Sequence, residues 1–288
     1  MKTILITHII GLAMAWAGSQ GSTIVGAVPV FALLALLAFA LQWLAFIPAN
    51  AMKTEKFYDL TGSLTYILIV AMAVTLSGPT DLRSHLLAGF VLAWALRLGS
   101  FLFVRIHQDG ADTRFDKIKP DPIRFLGVWC LQGLWVLLTA SAALAAITSS
   151  ARVELGITGY VGCALWLAGF AIEVVADHQK RVFRKQQGPD AFITTGLWAL
   201  SRHPNYVGEI LLWLGIAVLA LPALSGWQYA SLVSPLFVYV LLTRISGVPL
   251  LERKADKRWG EQADYQAYKA STAILFPGFG RGSSPLGQ

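Results

Sequence analysis

The chain has 288 residues, of which 56% are hydrophobic and only 14% are charged. Soluble domains carry about 25% charged residues, so this composition excludes a water-soluble globule, and its hydrophobicity excludes a disordered chain. The formal net charge of +7 is compatible with nucleic-acid binding. In a membrane protein, however, basic loops that face anionic lipid explain it better, so we expect no nucleic-acid partner.

Eight apolar runs are long enough, or nearly long enough, to cross about 30 Å of hydrocarbon. They predict an all-α fold, namely a polytopic transmembrane helix bundle with seven core spans and an extra N-terminal span. The runs cover residues 4–18, 23–48, 62–78, 85–104, 125–148, 157–176, 206–222 and 228–246.

The first run also fits a signal peptide, because it is short, follows Lys2 and ends in small residues. The chain therefore divides into an N-terminal hydrophobic segment (1–22), a membrane bundle with cytoplasmic cofactor-binding loops (23–277) and a Gly- and Ser-rich tail (278–288). We expect the tail to be disordered.

The positive charges predict the topology. With the N-terminus in the cytoplasm, 20 of the 23 Lys and Arg residues lie on the inner side. Arg83 and Arg152 lie outside, and Arg97 lies within a span. This bias predicts that both termini are cytoplasmic, and it places the chemistry in the cytoplasmic half of the protein.

Two groups of polar residues precede the centre of the chain. Glu55, Tyr58 and Asp59 stand at the start of the third run, where Asp59 is either a site residue or only an acid at a helix N-terminus. Arg97 lies too deep to reach water easily and needs an anion, either a carboxylate or a ligand phosphate. The next loop, which contains Arg114, would by itself be a solvated turn.

A helix that leaves the membrane near residue 176 carries a charged face. Its ionisable residues recur at spacings of three and four, so they line one side of the helix: Glu173, Asp177, Lys180, Arg181 and Arg184. They form either an amphipathic helix end with internal salt bridges or part of a binding site. The apolar setting favours a binding site for the two acids.

The strongest indication of a site follows this helix. Pro204 suits the first turn of a new helix, because the N–H that proline lacks would have no partner there. Arg202 and His203 at a helix N-terminus form an anion site. Asn205 and Glu209 are four residues apart and point along one face into the bundle.

The C-terminal segment 252–268 is either an interfacial amphipathic helix or, through Tyr265 and Tyr268, a clamp for an aromatic or nucleotide group. No soluble nucleotide-binding motif and no cluster at metal-ligand spacing is found, so we expect no metal. The polar groups of the inner face together predict a site that binds a polyanionic cofactor from the cytosol and an apolar substrate from the lipid.

The block 196–209, GLWALSRHPNYVGE, resembles the signature of the steroid 5-alpha-reductase C-terminal family. That family includes a bacterial DUF1295-like branch and, more distantly, the sterol C14 and C7 reductases. The resemblance covers roughly residues 50–277 and is strongest in this block. Other segments that match in order and spacing are 57–63, 94–116, the helix 177–184 and the tail 252–277.

The resemblance implies a membrane reductase in which NADPH enters from the cytosol. Hydride then passes to the β-carbon of an enone, typically of a 3-oxo-Δ4 steroid, while an acidic donor holds the carbonyl oxygen. Asp59 falls at the position of that donor, with Tyr58 and Glu55 beside it as further catalytic candidates. Trp94 replaces a tyrosine that the family carries, and Tyr58 or Tyr66 can substitute for it.

The residues expected at the cofactor come from the resemblance and from the groups above. The resemblance places seven residues on the family's cofactor positions: Arg97, Arg114, Glu173, Asp177, Arg181, Arg184 and Asn205. The inner-face groups add Lys180, Trp198, Arg202, His203, Tyr206, Glu209 and Tyr265. We expect a monomer in a bacterial inner membrane that acts on a lipophilic substrate.

Two other functions remain open at this stage. Membrane methyltransferases that modify isoprenylcysteine or phospholipid amines share an Arg-His-Pro-x-Tyr-x-Gly start, but their cofactor, S-adenosylmethionine, carries no phosphate. Asn205 followed by Glu209, together with the cations near Asp177, favours the reductase. A non-enzymatic sterol- or lipid-binding protein would bind its ligand independently of any nucleotide.

Overall fold

The structure is a computed structural model that describes residues 1–109, 112, 115–188 and 190–277, with the backbone alone for 101–109. Short strands β1 (Ile24–Val25) and β2 (Val28–Pro29) pair antiparallel. The α-helices of the described residues are α1 (Lys2–Ser19), α2 (Val30–Ala51), α3 (Tyr58–Leu76), α4 (Leu82–Asp109), α5 (Pro122–Thr148), α6 (Ile157–Gln187), α7 (Pro204–Ala220), α8 (Val233–Val240), α9 (Gly247–Trp259) and α10 (Ala263–Ser271).

Seven segments of the described chain are long and apolar enough to cross a membrane. They are α1, α2, α3, α5, α6 and the composite segments Pro204–Ala223 and Gly226–Trp259. The remaining apolar run, 85–104, lies within α4, whose 28 residues measure about 42 Å along the axis. The predicted all-α, polytopic helix bundle is confirmed, and the chain is an integral multi-pass membrane protein. The tail 278–288 lies outside the described residues.

The chain forms two compact units. Unit 1 contains Met1–Gly162 and Ile216–Ser234, and unit 2 contains Cys163–Gly215 and Pro235–Gln288. The boundaries between the units fall within helices α6, α7 and α8.

Helix α5 is the centre of unit 1. In its apolar window 89% of the residues are buried, compared with 28% in α1, and it contacts α1, α2, α3 and α4. Small residues are frequent between Ala140 and Ala146, and small side chains let helices approach closely where lipid provides no hydrophobic driving force. The Ser141 hydroxyl lies 2.8 Å from the carbonyl oxygen of Ser231, which fastens a neighbouring 3-10 helix to α5.

The ends of helices in unit 1 are satisfied by specific side chains. Asp121 caps α5, since its carboxylate accepts hydrogen bonds from the backbone N–H groups of Ile123 and Arg124, and Pro122 takes the first helical position. Arg83 is only 2% exposed and donates to the carbonyl oxygens of Leu219 and Glu154, both at 2.6 Å. This cation therefore has a structural role.

In unit 2, α6 and α7 cross at two glycines. A Cβ atom on Gly208 would lie 2.5 Å from the carbonyl oxygen of Gly169 and 2.7 Å from the backbone nitrogen of Glu173. The two backbones therefore touch directly, as at small-residue crossings in membrane bundles. Of the predicted site residues, Glu173 lies on α6, and Asn205 and Glu209 lie on α7, the two helices that cross here.

Replacing Gly208 with Ala tests this crossing. The added methyl group cannot be accommodated without moving backbone, so we expect a loss of about 2 kcal/mol or more in stability, measured as thermal unfolding in detergent. Gly89→Ala is the matched control, because the space around Gly89 in α4 is open. A Gly208→Ala protein as stable as the Gly89→Ala protein would contradict the described crossing.

Candidate functional site

Unit 2 contains a cavity of about 240 Å³. It is bounded by the C-terminal end of α6, the segment that connects α6 to α7, the start of α7, and the helices α9 and α10. Its ionisable lining residues other than tyrosine are Lys180, Arg184, Arg202, His203, Glu252, Lys254 and Arg258, and its aromatic ones are Phe183, Phe192, Trp198, Trp259, Tyr265 and Tyr268.

One wall of the cavity is a cluster of aromatic rings. The ring of Phe192 lies 5.3 Å from that of Tyr265, 5.7 Å from that of Trp259 and 6.1 Å from that of Tyr268. Aromatic pairs at these separations attract one another and offer flat apolar surface to a ligand ring. The cluster therefore suits a ligand with a planar ring.

The two tyrosines of this wall are held as neutral phenols. Burial raises the pKa of Tyr268 to about 12, and its hydroxyl donates to the carbonyl oxygen of Trp198 at 2.7 Å. Burial, reinforced by Asp256, raises the pKa of Tyr265 above its usual value. Both phenols keep their protons at neutral pH, so neither repels an anionic ligand.

The C-terminal end of α6 supplies positive charge to the cavity. The ammonium group of Lys180 lies over the ring of Trp198, 4.5 Å from its centre, a cation–π distance. The indole N–H of Trp198 donates to the carbonyl oxygen of Ala176 at 3.0 Å, which fixes the ring beneath the lysine. The cavity thus combines cations with aromatic surface.

The start of α7 is tied to α9 by one carboxylate. Glu252 lies 2.8 Å from Nε2 of His203 and 3.1 Å from Nη2 of Arg202. Arg202 also donates through Nη1 to the carbonyl oxygen of Lys269 at 2.7 Å. His203 is 5% exposed, and its ring stacks on that of Tyr206 at 5.6 Å.

Some buried polar atoms around this site have no hydrogen-bond partner among the described residues. They include Nδ1 of His203, Nε of Arg202 and Oδ1 of Asn205. A buried unsatisfied group costs about 1–3 kcal/mol, and such groups are expected where a ligand completes the bonding. With the aromatic wall and the cations, they fit a nucleotide cofactor, of which the cavity volume can hold a part.

Six of the predicted cofactor residues line this cavity: Lys180, Arg184, Trp198, Arg202, His203 and Tyr265. Six others lie in unit 2 without lining it. Glu173 is 5% exposed, whereas Asp177, Asn205, Tyr206 and Glu209 are half-buried. Arg181 is exposed and contacts Nδ1 of His178 at 3.3 Å, and unlike Lys180 and Arg184 it does not line the cavity.

The predicted catalytic residues lie in unit 1. Asp59 is half-buried in the first turn of α3. The Tyr58 hydroxyl donates to the carbonyl oxygen of Val128 at 3.1 Å. Arg97 is half-buried on α4, and Arg114 lies outside the described residues. Trp94 and Tyr66, the residues considered in place of the family's tyrosine, pack edge to face at 5.1 Å.

Glu55 has a close ion-pair partner. Its carboxylate lies 2.6 Å from Nζ of Lys119 and accepts a hydrogen bond from the backbone N–H of Asp112. Burial opposes ionisation, but these interactions outweigh it and hold the pKa of Glu55 below its usual value. The hydrogen bond to Glu55 correspondingly raises the pKa of Lys119. The pair fixes the segment that leads into α3.

Sequence reasoning did not assign several residues that line the cavity to the cofactor, among them Phe192, Glu252, Arg258 and Trp259. Glu252 and Trp259 are seven residues apart and therefore share a face of α9. That spacing could have indicated a shared face of α9 from the sequence alone. It cannot show which residues of α7 and α10 this face contacts.

The sequence profile of the family described as "Protein of unknown function (DUF1295)" matches residues 45–272, most of the chain. The chain belongs to this steroid 5-alpha-reductase-like family. It is also 32% identical over 118 residues to 3-oxo-5-alpha-steroid 4-dehydrogenase 1 of Rattus norvegicus, a match that spans 40% of each chain. No solved structure matches significantly.

The ion pair of Glu55 gives a test of unit 1. The pKa of Glu55 is lower in the folded protein than in the unfolded chain. The Glu55 carboxylate therefore contributes to the free energy of unfolding at pH values above its unfolded pKa, and this contribution is lost as the pH falls through its folded pKa. We expect Glu55→Gln to cost about 2 kcal/mol near pH 7, with a smaller difference below about pH 4. Thermal unfolding across this range measures it.

The control for this experiment is Glu261→Gln, because Glu261 is exposed and lies outside the ion pair. We expect its unfolding curve to follow that of the unaltered protein at every pH. A Glu55→Gln protein that unfolds with the unaltered protein at pH 7 would show that the Lys119 contact does not stabilise unit 1.

Proposed function

We propose that the protein is an NADPH-dependent membrane reductase that transfers hydride to the carbon–carbon double bond of an enone, with a 3-oxo-Δ4 steroid or a similar lipid as substrate. The observation that carries the proposal is the cavity of unit 2, which joins an aromatic wall to cations and unsatisfied polar atoms. Membership of a steroid 5-alpha-reductase-like family and the name of the rat relative support the reaction type.

The residues of unit 2 have distinct roles in holding the cofactor. Lys180, Arg184 and Arg258 are the cations of the cavity that suit phosphate oxygens, while the aromatic wall suits a planar ring. Asn205 brings a buried carbonyl oxygen without a partner among the described residues. When bound, NADPH supplies the hydride, and the protein supplies position and electrostatics.

In unit 1, Asp59 is proposed to hold the carbonyl oxygen of the substrate. As hydride reaches the β-carbon, negative charge develops on that oxygen, and a donor in a dry site stabilises it best. A carboxyl group kept from water can donate as the neutral acid. We assign Tyr58 and Glu55 to the same substrate region, where their contacts to Val128 and Lys119 hold the start of α3 in place.

We further propose a bacterial inner-membrane location, on the resemblance to the bacterial branch of the family. We propose cytoplasmic termini because 20 of the 23 basic residues fall on one predicted side. NADPH then reaches the protein from the cytosol and the lipophilic substrate from the bilayer. In this arrangement the monomer is sufficient for the reaction.

Ligand-induced stabilisation tests the cofactor. We expect NADPH at 100 times its dissociation constant to stabilise the detergent-purified protein by about 2.7 kcal/mol, and NADH to act only at much higher concentration, because it lacks the 2′-phosphate. Thermal unfolding with each nucleotide measures this. Stabilisation by S-adenosylmethionine alone would instead establish a methyltransferase.

Two substitutions test the assigned residues. We expect Asp59→Asn and Asn205→Ala each to lower enone reduction by about 100-fold or more without changing thermal stability, because each removes a group that acts on a reactant rather than on the fold. Consumption of NADPH in the presence of a 3-oxo-Δ4 steroid gives the rate.

Asp264→Asn is the control for Asp59→Asn, since Asp264 is exposed at the start of α10. It should retain the full rate of reduction. Full activity in both site variants would rule out the assigned roles of Asp59 and Asn205.

A further inference from the structure

The carboxylate of Glu252 binds two residues of the cavity at once. One oxygen lies 2.8 Å from Nε2 of His203, and the other lies 3.1 Å from Nη2 of Arg202. The partners stand at the start of α7 and Glu252 stands on α9, so this contact joins elements that are far apart in the sequence. All three side chains line the cavity.

The same two partners each keep one buried nitrogen without a hydrogen bond among the described residues: Nε of Arg202 and Nδ1 of His203. Their side chains are only 9% and 6% exposed. Two such atoms on side chains that line one cavity indicate a ligand that completes their bonding.

The chemistry of these nitrogens defines the missing group. Nε–H of arginine can only donate a hydrogen bond. In the neutral imidazole of His203, the carboxylate beside Nε2 favours the tautomer that carries its proton there, and Nδ1 is then an acceptor. The ligand must therefore offer one acceptor, for Arg202, and one donor, for His203.

We propose that Glu252 is a positioning residue of the cavity, which orients Arg202 and His203 to bind an uncharged donor–acceptor group of the nucleotide. This inference rests on the proposed function. A ribose hydroxyl, the amino edge of adenine and the nicotinamide carboxamide all have the required chemistry. A phosphate does not, because its oxygens only accept hydrogen bonds, and it suits Lys180, Arg184 and Arg258 instead.

Neighbouring residues support this assignment to Glu252 in particular. Asp256, one turn further along α9, already binds Lys269 at 2.5 Å and Tyr265 at 3.1 Å. The His203 ring also stacks on that of Tyr206. Gly247 leaves room for Tyr206, because a Cβ atom on Gly247 would lie 2.7 Å from the Tyr206 ring.

The test compares dissociation constants for NADPH, for 2′,5′-ADP and for reduced nicotinamide mononucleotide, by calorimetry on the full chain. The proteins are the unaltered chain, Glu252→Gln and the exposed control Glu261→Gln. We expect Glu252→Gln to weaken NADPH and one of its two halves by about tenfold, while the other half binds as before. A loss confined to 2′,5′-ADP places the adenosine half in the cavity, and a loss confined to the mononucleotide places the nicotinamide half there.

Arg202→Lys provides a second measurement that does not depend on whether Glu252→Gln folds. Lysine keeps a positive charge for Glu252 but lacks Nε–H, so we expect a weaker affinity for the same half of the cofactor. Equal affinities in the unaltered protein and both variants would overturn the inference, as would an equal loss for both halves. Failure of the unaltered protein to bind NADPH would instead overturn the proposed function.

Discussion

A charged group that the fold removes from water loses its hydration, so it must find partners within the protein. This constraint explains where the chain places its buried charges. Arg83 is bound by two backbone carbonyl oxygens, and Glu55 is bound by Lys119 and a backbone N–H. In unit 2 the same constraint draws Arg202 and His203 to Glu252.

The same constraint helps to interpret the buried polar atoms that have no hydrogen-bond partner among the described residues. Most buried polar groups in proteins are paired, so a group without a partner marks strain or a site for a ligand. In unit 2, unsatisfied atoms of Arg202, His203 and Asn205 occur at the start of a single helix. The neighbouring aromatic wall and cations are what a nucleotide requires, so one explanation accounts for the three features together.

Sequence reasoning was most successful where one physical property decides the outcome. The hydrophobic runs predicted the helices, because only a helix can satisfy its own backbone in lipid, and Pro204 correctly indicated the start of α7. The central position of α5 was not predicted, since its composition differs little from that of its neighbours. Helical spacing grouped Arg181 with Lys180 and Arg184, but only Lys180 and Arg184 line the cavity.

Long-range contacts account for what the sequence could not show. Glu252 is 49 residues from His203 in the chain, and nothing in the local pattern of α9 specifies this partner. Similarly, Phe192 lies in a connecting segment without periodicity, yet its ring packs against Trp259 and Tyr265. Such pairs are decided by how α6, α7, α9 and α10 pack within unit 2.

Transfer of deuterium from the cofactor to the substrate tests the central claim most directly. The purified protein would be incubated with NADPH deuterated at the nicotinamide C4 and with a 3-oxo-Δ4 steroid, and the product analysed by mass spectrometry. The proposed reaction predicts a saturated ketone with one deuterium at the β-carbon and one solvent-derived hydrogen at the α-carbon. A steroid recovered without deuterium, from a protein that binds NADPH, would contradict it.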